Sequence, residues 1–354
     1  MKSLFLKIAA SLYGVGIRLR HLLFDWGILR SSSYDIPIIC VGNITVGGTG
    51  KTPAVEMLIE RYCKSYKIAV LSRGYGRRTK GYLEVECDDS YLKVGDEPLQ
   101  IKRKYPSIKV VVCERRTEGI ERIMAEHEDI TMIIMDDGFQ HRYVKPFINI
   151  IMVDATRPVQ EDRLLPVGQL RDTVGSLERA HYFIVTKCPR TINAAEKLVH
   201  RKWLRQKPSQ RVFFSSIING AIRPIFAEGE GIPAEGSEVI AMSGIGNNEV
   251  FNASLARRFY VRATIDHDDH HAYVMRDLQL MQSALAKYPN AVIITTEKDA
   301  VKLFNVQKMP AEMRARMYYE SVGMEFLGDD YDEFFRRIDS DLKNYNNEMF
   351  IRGC

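Results

Sequence analysis

One stretch constrains this chain more than any other: Ile36–Thr52, reading IPIICVGNITVGGTGKT. An apolar run leads into a glycine-rich turn, and Gly-Lys-Thr then opens a helical pattern. Gly47, Gly48 and Gly50 let backbone N–H groups converge on an anion in conformations a side chain would block. A helix beginning near Thr52 turns its positive dipole end toward the same point. Thr45, Val46 and Thr49 complete the loop Thr45–Thr52. Lys51 suits the β- and γ-phosphates of a nucleotide, and the Thr52 hydroxyl suits Mg²⁺. The usual first glycine of such a loop is Thr45 here. ATP and Mg²⁺ are therefore the expected ligands.

The rest of the chain fits an α/β frame around this loop. Short aliphatic runs at Ile36–Val41, Ile68–Ser72, Val110–Cys113, Thr131–Met135, Ile148–Val153 and Tyr182–Thr186 read as strands buried on both faces. Helical segments fall between several of them, at Thr52–Tyr66, Pro98–Lys104, Thr117–Glu128 and Asn193–Gln206. This alternation predicts a P-loop NTPase fold: a doubly wound, mainly parallel sheet with helices on both sides. A Gly/Pro-rich stretch, 219–238, reads as a linker. Strand and helix patterns restart at Val239 and predict a second, smaller α/β domain. The expected organisation is an N-terminal helix over 1–32, a core domain over 33–218, the linker, and a C-terminal domain over 239–354.

The first thirty residues carry a different signal. Lys2, Lys7, Arg18, Arg20 and Arg30 face a single acid, Asp25. Leu4, Ile8, Leu12, Val15, Leu19, Leu22 and Trp26 form one helical stripe roughly 80° wide. Interrupting charges rule out a run of about 20 apolar residues, so a spanning helix is not expected. An interfacial helix on a bilayer and a helix packed on the protein core share this pattern, and both stay open. The net charge of +5 fits phosphate-bearing or membrane-surface partners without requiring nucleic acid. The six cysteines form no C-x-x-C pair and read as reduced thiols rather than a metal site.

Further chemistry gathers at predicted strand ends, where open α/β sheets bind ligands. Asp136 and Asp137 close the Thr131–Met135 run, where a P-loop protein places its metal-organising carboxylate, and Gln140 and His141 follow closely. Arg73, Arg77 and Arg78 follow Ser72, and Arg115 and Arg116 follow Cys113; their planar forks suit phosphate oxygens. Asp96 and Glu97 precede a predicted helix, either as caps or as a carboxylate that accepts a hydroxyl proton. The cluster Asp266–His271 lacks the regular spacing of a zinc site and suits a histidine oriented by a neighbouring acid.

Taken together, the motifs resemble the tetraacyldisaccharide 4'-kinases of lipid A biosynthesis. The strings VGNITVGGTGKTP (41–53), SRGYGR (72–77), VGDEP (94–98), DDGFQHR (136–142), LLPVGQLRD (164–172), SGIGN (243–247) and TTEKDAVKL (295–303) stand in family order over most of the chain. The resemblance implies transfer of the ATP γ-phosphoryl to the 4'-hydroxyl of a tetraacylated glucosamine disaccharide 1-phosphate, forming lipid IVA. It implies work at the cytoplasmic face of a bacterial inner membrane, on an acylated disaccharide lipid. It assigns Asp96 as the catalytic carboxylate with His270 as its partner, His271 being the alternative. It places Asp136, Asp137 and His141 in the cleft. Charge bookkeeping adds Lys51 and Arg115 or Arg116 as the groups expected to balance the γ-phosphate. Asp172 stands where the family has Glu, and Asn248 where it has proline. The competing reading is a P-loop nucleotide switch or partitioning ATPase at the membrane, but Val46 stands where that group carries a second lysine.

Overall fold

The computed structural model describes residues 2–229, 231–269, 271–304, 306 and 309–352. In chain order the elements are α1 (Lys2–Asp25), β1 (Ile38–Gly42), α2 (Lys51–Tyr62), β2 (Ile68–Ser72), β3 (Leu83–Glu84), α3 (Tyr91–Val94), α4 (Asp96–Lys104), β4 (Lys109–Val112), α5 (Arg116–Glu126), β5 (Met132–Asp136), β6 (Ile148–Asp154) and β7 (Tyr182–Thr186). There follow α6 (Ala194–Trp203), β8 (Arg211–Pro224), β9 (Glu238–Ser243), α7 (Asn248–Ala256), β10 (Tyr260–Asp266), α8 (Met275–Lys287), β11 (Val292–Thr296), α9 (Glu297–Leu303), α10 (Ala311–Arg314), β12 (Met317–Phe326) and α11 (Asp330–Arg352).

The aliphatic runs are strands because each is covered on both faces. Every residue of β1, β2, β5, β6 and β7 is buried. β1 lies between β5 and β6 in parallel register, and β2 and β4 extend the sheet beyond β5. Alternate residues of one strand enter different cores. Ile39 and Val41 pack with Val55, Leu58 and Ile59 of α2, whereas Ile38 and Cys40 pack with Ile120 and Ile123 of α5. Burying each such aliphatic side chain contributes about 1.5–3 kcal/mol. This doubly wound layering holds the strand ends, and the loops that follow them, in one row.

The second unit is not a separate sheet. Among the described residues, all twelve strands form one sheet, ordered β10-β9-β11-β12-β8-β7-β6-β1-β5-β2-β4-β3. The first part of β8 pairs parallel with β7, and its later part pairs antiparallel with β12. The expected boundary at 218/219 thus falls inside β8, and only 225–237 of the expected linker lies outside strands. From β12 the chain returns to the first unit. Phe334, Phe335, Ile338 and Leu342 of α11 share the core that contains α2.

On α1 the apolar stripe faces outward. Leu4, Ile8, Leu12, Val15, Leu19, Leu22 and Trp26 are all exposed. Its inward side is the opposite one, with Gly14 and Phe24 buried and Ile17 and His21 partly so. A Cβ on Gly14 would stand 2.9 Å from Leu164 Cδ1, so a small residue is needed for this contact. Among the described residues, no helix is long and apolar enough to cross a membrane.

Candidate active site

The loop after β1 is held from several sides. Asn43 donates to Thr49 Oγ1 at 2.7 Å, and Thr186 Oγ1 donates to the Thr49 carbonyl at 3.0 Å. The Val46 N–H donates to the Gln169 carbonyl at 2.8 Å, the Arg171 N–H donates to Ile44 at 2.9 Å, and Thr45 bridges antiparallel to Leu170. Gly50 caps α2 at φ +84°, a left-handed conformation that strains other residues. Thr45 and Thr49 are buried and Val46 is at the surface. Lys51 and Thr52 are the first two residues of α2.

Facing this loop is the end of β5. Asp136 is buried and accepts from Ser72 Oγ at 3.1 Å through Oδ2, while its Oδ1 is buried with no hydrogen-bond partner. Burial, reinforced by Glu97 and Asp137, pushes the Asp136 acid up to about 7 despite Lys51. Asp137 has the opposite environment. Burial opposes its charge, yet Lys51, 3.7 Å away, and the Arg171 fork hold its carboxyl below the usual range. Its backbone is left-handed at φ +49°, an uncommon conformation for a residue with a side chain. Two adjacent aspartates therefore differ: Asp137 is saturated with cations, and Asp136 has an oxygen to spare.

Glu97 joins these two, its acid raised by burial and by Asp96, with Lys51 and Lys298 opposing. Asp96 opens α4 and is buried, with Oδ1 accepting the Glu97 N–H at 3.0 Å. Gly95 holds the cap position without a side-chain cap bond, and Asp96 Oδ2 lies 3.9 Å from Lys298 Nζ. The turn before Asp96 requires Gly95, at φ +96°, because a Cβ there would meet the Gly74 backbone at 3.0 Å. That close approach packs VGDEP on SRGYGR.

The other sequence candidates separate. Arg115, just before α5, is largely exposed and pairs with Glu118 of that helix at 3.2 Å. Arg116 is buried, donating to the Cys113 carbonyl at 2.7 Å. Its backbone N–H donates to His141 Nε2 at 3.3 Å. Burial, together with Arg116, Arg20 and Arg73, pushes the His141 imidazolium down to about 4, so the ring is neutral at pH 7. Gln140 donates to the Asn43 carbonyl at 2.6 Å. His270 lies outside the described residues. His271 Nε2 is 3.0 Å from Asp277 Oδ2, and its ring stacks on His267 at 3.9 Å.

Sequence reasoning gave no task to two residues here, Arg171 and Arg157. Arg171 donates from both terminal nitrogens to the two carboxylate oxygens of Asp137, and also to Asn43 Oδ1. The signal for it was present in LLPVGQLRD, which the local pairing to Ile44–Val46 explains. Arg157 lies beside Gly47, its guanidinium 3.4 Å from where a Cβ would be.

A glycine-rich loop capping a helix, opposite a strand-end acid pair and a helix-start carboxylate, defines a nucleotide-dependent kinase of the P-loop class. A family model described as tetraacyldisaccharide-1-P 4'-kinase matches residues 2–343. A tetraacyldisaccharide 4'-kinase of Phocaeicola vulgatus is 40% identical over 348 residues, 96% of this chain and 95% of that one. One from Porphyromonas gingivalis is 40% identical over 342 residues, covering 94% and 96%. Among solved structures, LpxK from Aquifex aeolicus in complex with ATP superposes with a TM-score of 0.73 at 26% identity, covering 99% of this chain and 100% of that one. The chain belongs to the tetraacyldisaccharide 4'-kinase family, whose activity forms lipid IVA in lipid A biosynthesis.

Proposed function

We propose that phosphoryl transfer to the 4'-hydroxyl occurs in the cleft between Thr45–Thr52, Asp136–Asp137 and Asp96. The observation that carries this reading is the division of labour among the carboxylates. Little covalent work falls to the protein in such a transfer, so positioning and charge neutralisation decide its rate. The loop N–H groups and Lys51 hold the β- and γ-phosphates. Arg171 keeps Asp137 ionised and in place, and Asp137 in turn fixes Lys51. Asp96 orients the sugar hydroxyl and takes its proton, with His270 as its partner by motif position.

The donor set fits Mg²⁺: Asp136 offers a buried oxygen with no other partner, and four carboxylates crowd one cleft. Thr52 and Asp136 would hold the ion, which when bound neutralises β- and γ-phosphate oxygens.

The exposed stripe of α1 supports an interfacial helix at the bilayer, at the cytoplasmic face of the inner membrane. With Arg18 and Arg20 beside it, the stripe would seat the cleft where an acylated sugar can enter without leaving the lipid. The core domain, the smaller unit reached through β8, and α1 would then have distinct tasks: nucleotide, closure and membrane.

The test is transfer of label from γ-labelled ATP to the disaccharide lipid by the full-length protein in mixed micelles. Label in the lipid supports the reading. ATP hydrolysis without labelled lipid favours a nucleotide switch.

A further inference from the structure

Of the two lysines in α9, Lys298 points toward the first unit. We propose that Lys298 is a positioning residue of the transfer reaction, tying the Asp96 carboxylate of the first unit to the second unit across the cleft. Lys298 Nζ lies 3.9 Å from Asp96 Oδ2 and 3.4 Å from Asp269 Oδ1, and the lysine is largely buried. Asp96 spends its other oxygen on the Glu97 N–H.

The backbone under Lys298 is fixed from three directions. Thr296 caps α9, its hydroxyl accepting the Asp299 N–H at 3.1 Å. One residue before Lys298, Glu297 reaches back to the first unit, 3.5 Å from Lys104 Nζ at the far end of α4, and accepts the Val322 N–H at 3.3 Å. One residue after it, Asp299 is fully buried and accepts the Gly244 N–H at 2.8 Å, with Lys302 Nζ 3.1 Å from its Oδ1. Asp96 and Lys104 are the two ends of α4, and α9 contacts both: Lys298 at the first, Glu297 at the last. A displacement of the second unit is thereby transmitted to the Asp96 side chain.

Charge gives the pairing a purpose. Asp96, Glu97, Asp136 and Asp137 converge on one cleft, with Lys51 and Arg171 as cations from the first unit. Lys298 adds a cation from the other unit on the side where Asp96 faces. An opposite charge about 4 Å away favours both the ionised form and one orientation of a carboxylate.

The inference rests on Asp96 acting at the acceptor hydroxyl, and the experiment separates the two. K298M, K298R, D96N and D96N/K298M are compared in the full-length protein by label transfer, with ATP binding and thermal melting measured alongside. K298M should lower kcat roughly 10- to 100-fold and leave the KM for ATP within about threefold, since it touches neither loop nor phosphates. K298R should restore most of the loss, and K298M should add no further loss in the D96N background. An unchanged kcat in K298M, no rescue by Arg, or a full additional loss on D96N overturns the proposal while leaving the Asp96 reading intact. An active D96N overturns both. If K298M melts early, D269N, at the more exposed end of the bridge, carries the decision. It should lower kcat severalfold at unchanged KM for ATP, and an unchanged kcat contradicts the proposal.

Discussion

Arg171 grips both oxygens of Asp137 while its own backbone N–H is bonded to Ile44 at the base of the phosphate loop. One residue thus ties the strand-end acid to the loop it faces. Replacing Arg171 by Lys keeps the charge and loses the fork. R171K should lower kcat/KM for ATP about 10- to 100-fold with the fold intact; steady-state kinetics and a thermal melt check this, and wild-type kinetics would contradict it.

With Mg²⁺ held by Asp136 as proposed, the raised Asp136 acid predicts a pH-dependent metal requirement. Below about 7 this carboxyl is protonated in the metal-free protein, and a bound cation must displace that proton. The Mg²⁺ concentration for half-maximal activity should therefore rise as pH falls from 8 to about 6. A titration of Mg²⁺ at several pH values reads it directly, and D136N should need far more Mg²⁺ at every pH.

Asp172 is the anchor of α1. It accepts from His21 Nε2 at 2.7 Å, Ser176 Oγ at 2.6 Å and the Thr173 N–H at 2.7 Å. Burial opposes its charge, but His21 and Ser176 hold its carboxyl below the usual range. The sign follows: its stabilisation is complete at neutral pH and is lost as pH falls through the lowered value. H21A removes a charge-assisted partner and should cost about 1–3 kcal/mol at pH 7, less in acid, measured by denaturant unfolding.

The outward stripe of α1 is exposed along its length. L12E/L19E should abolish binding to anionic vesicles yet leave the melting temperature within about 2 °C, because both leucines are exposed. Vesicle sedimentation decides it, and undiminished binding would contradict the interfacial reading.

Much of this was legible in the sequence because it depends on local pattern. The buried strands read as continuous aliphatic runs, and β2 and β7 have the bounds the pattern gave. The phosphate loop follows from the spacing after β1, and the acid pair from the end of the aliphatic run of β5. What could not be read was non-local. β8 is not read as a strand, and its end falls in the expected linker, because its second half, 215–224, is partly exposed and finds its partner, β12, about a hundred residues later. The orientation of the α1 stripe depends on a narrow inward face built around Gly14 and His21, which periodicity does not reveal. Arg171 meets Asp137 because a short bridge from Leu170 to Thr45 brings its loop alongside.

The central claim is that the loop holds ATP while Asp96 acts on the acceptor, and D96N tests both parts in a single preparation. ATP affinity should stay within about threefold of wild type while label transfer to the disaccharide lipid falls at least about a thousandfold. Equal losses in binding and transfer, or transfer preserved, would contradict it.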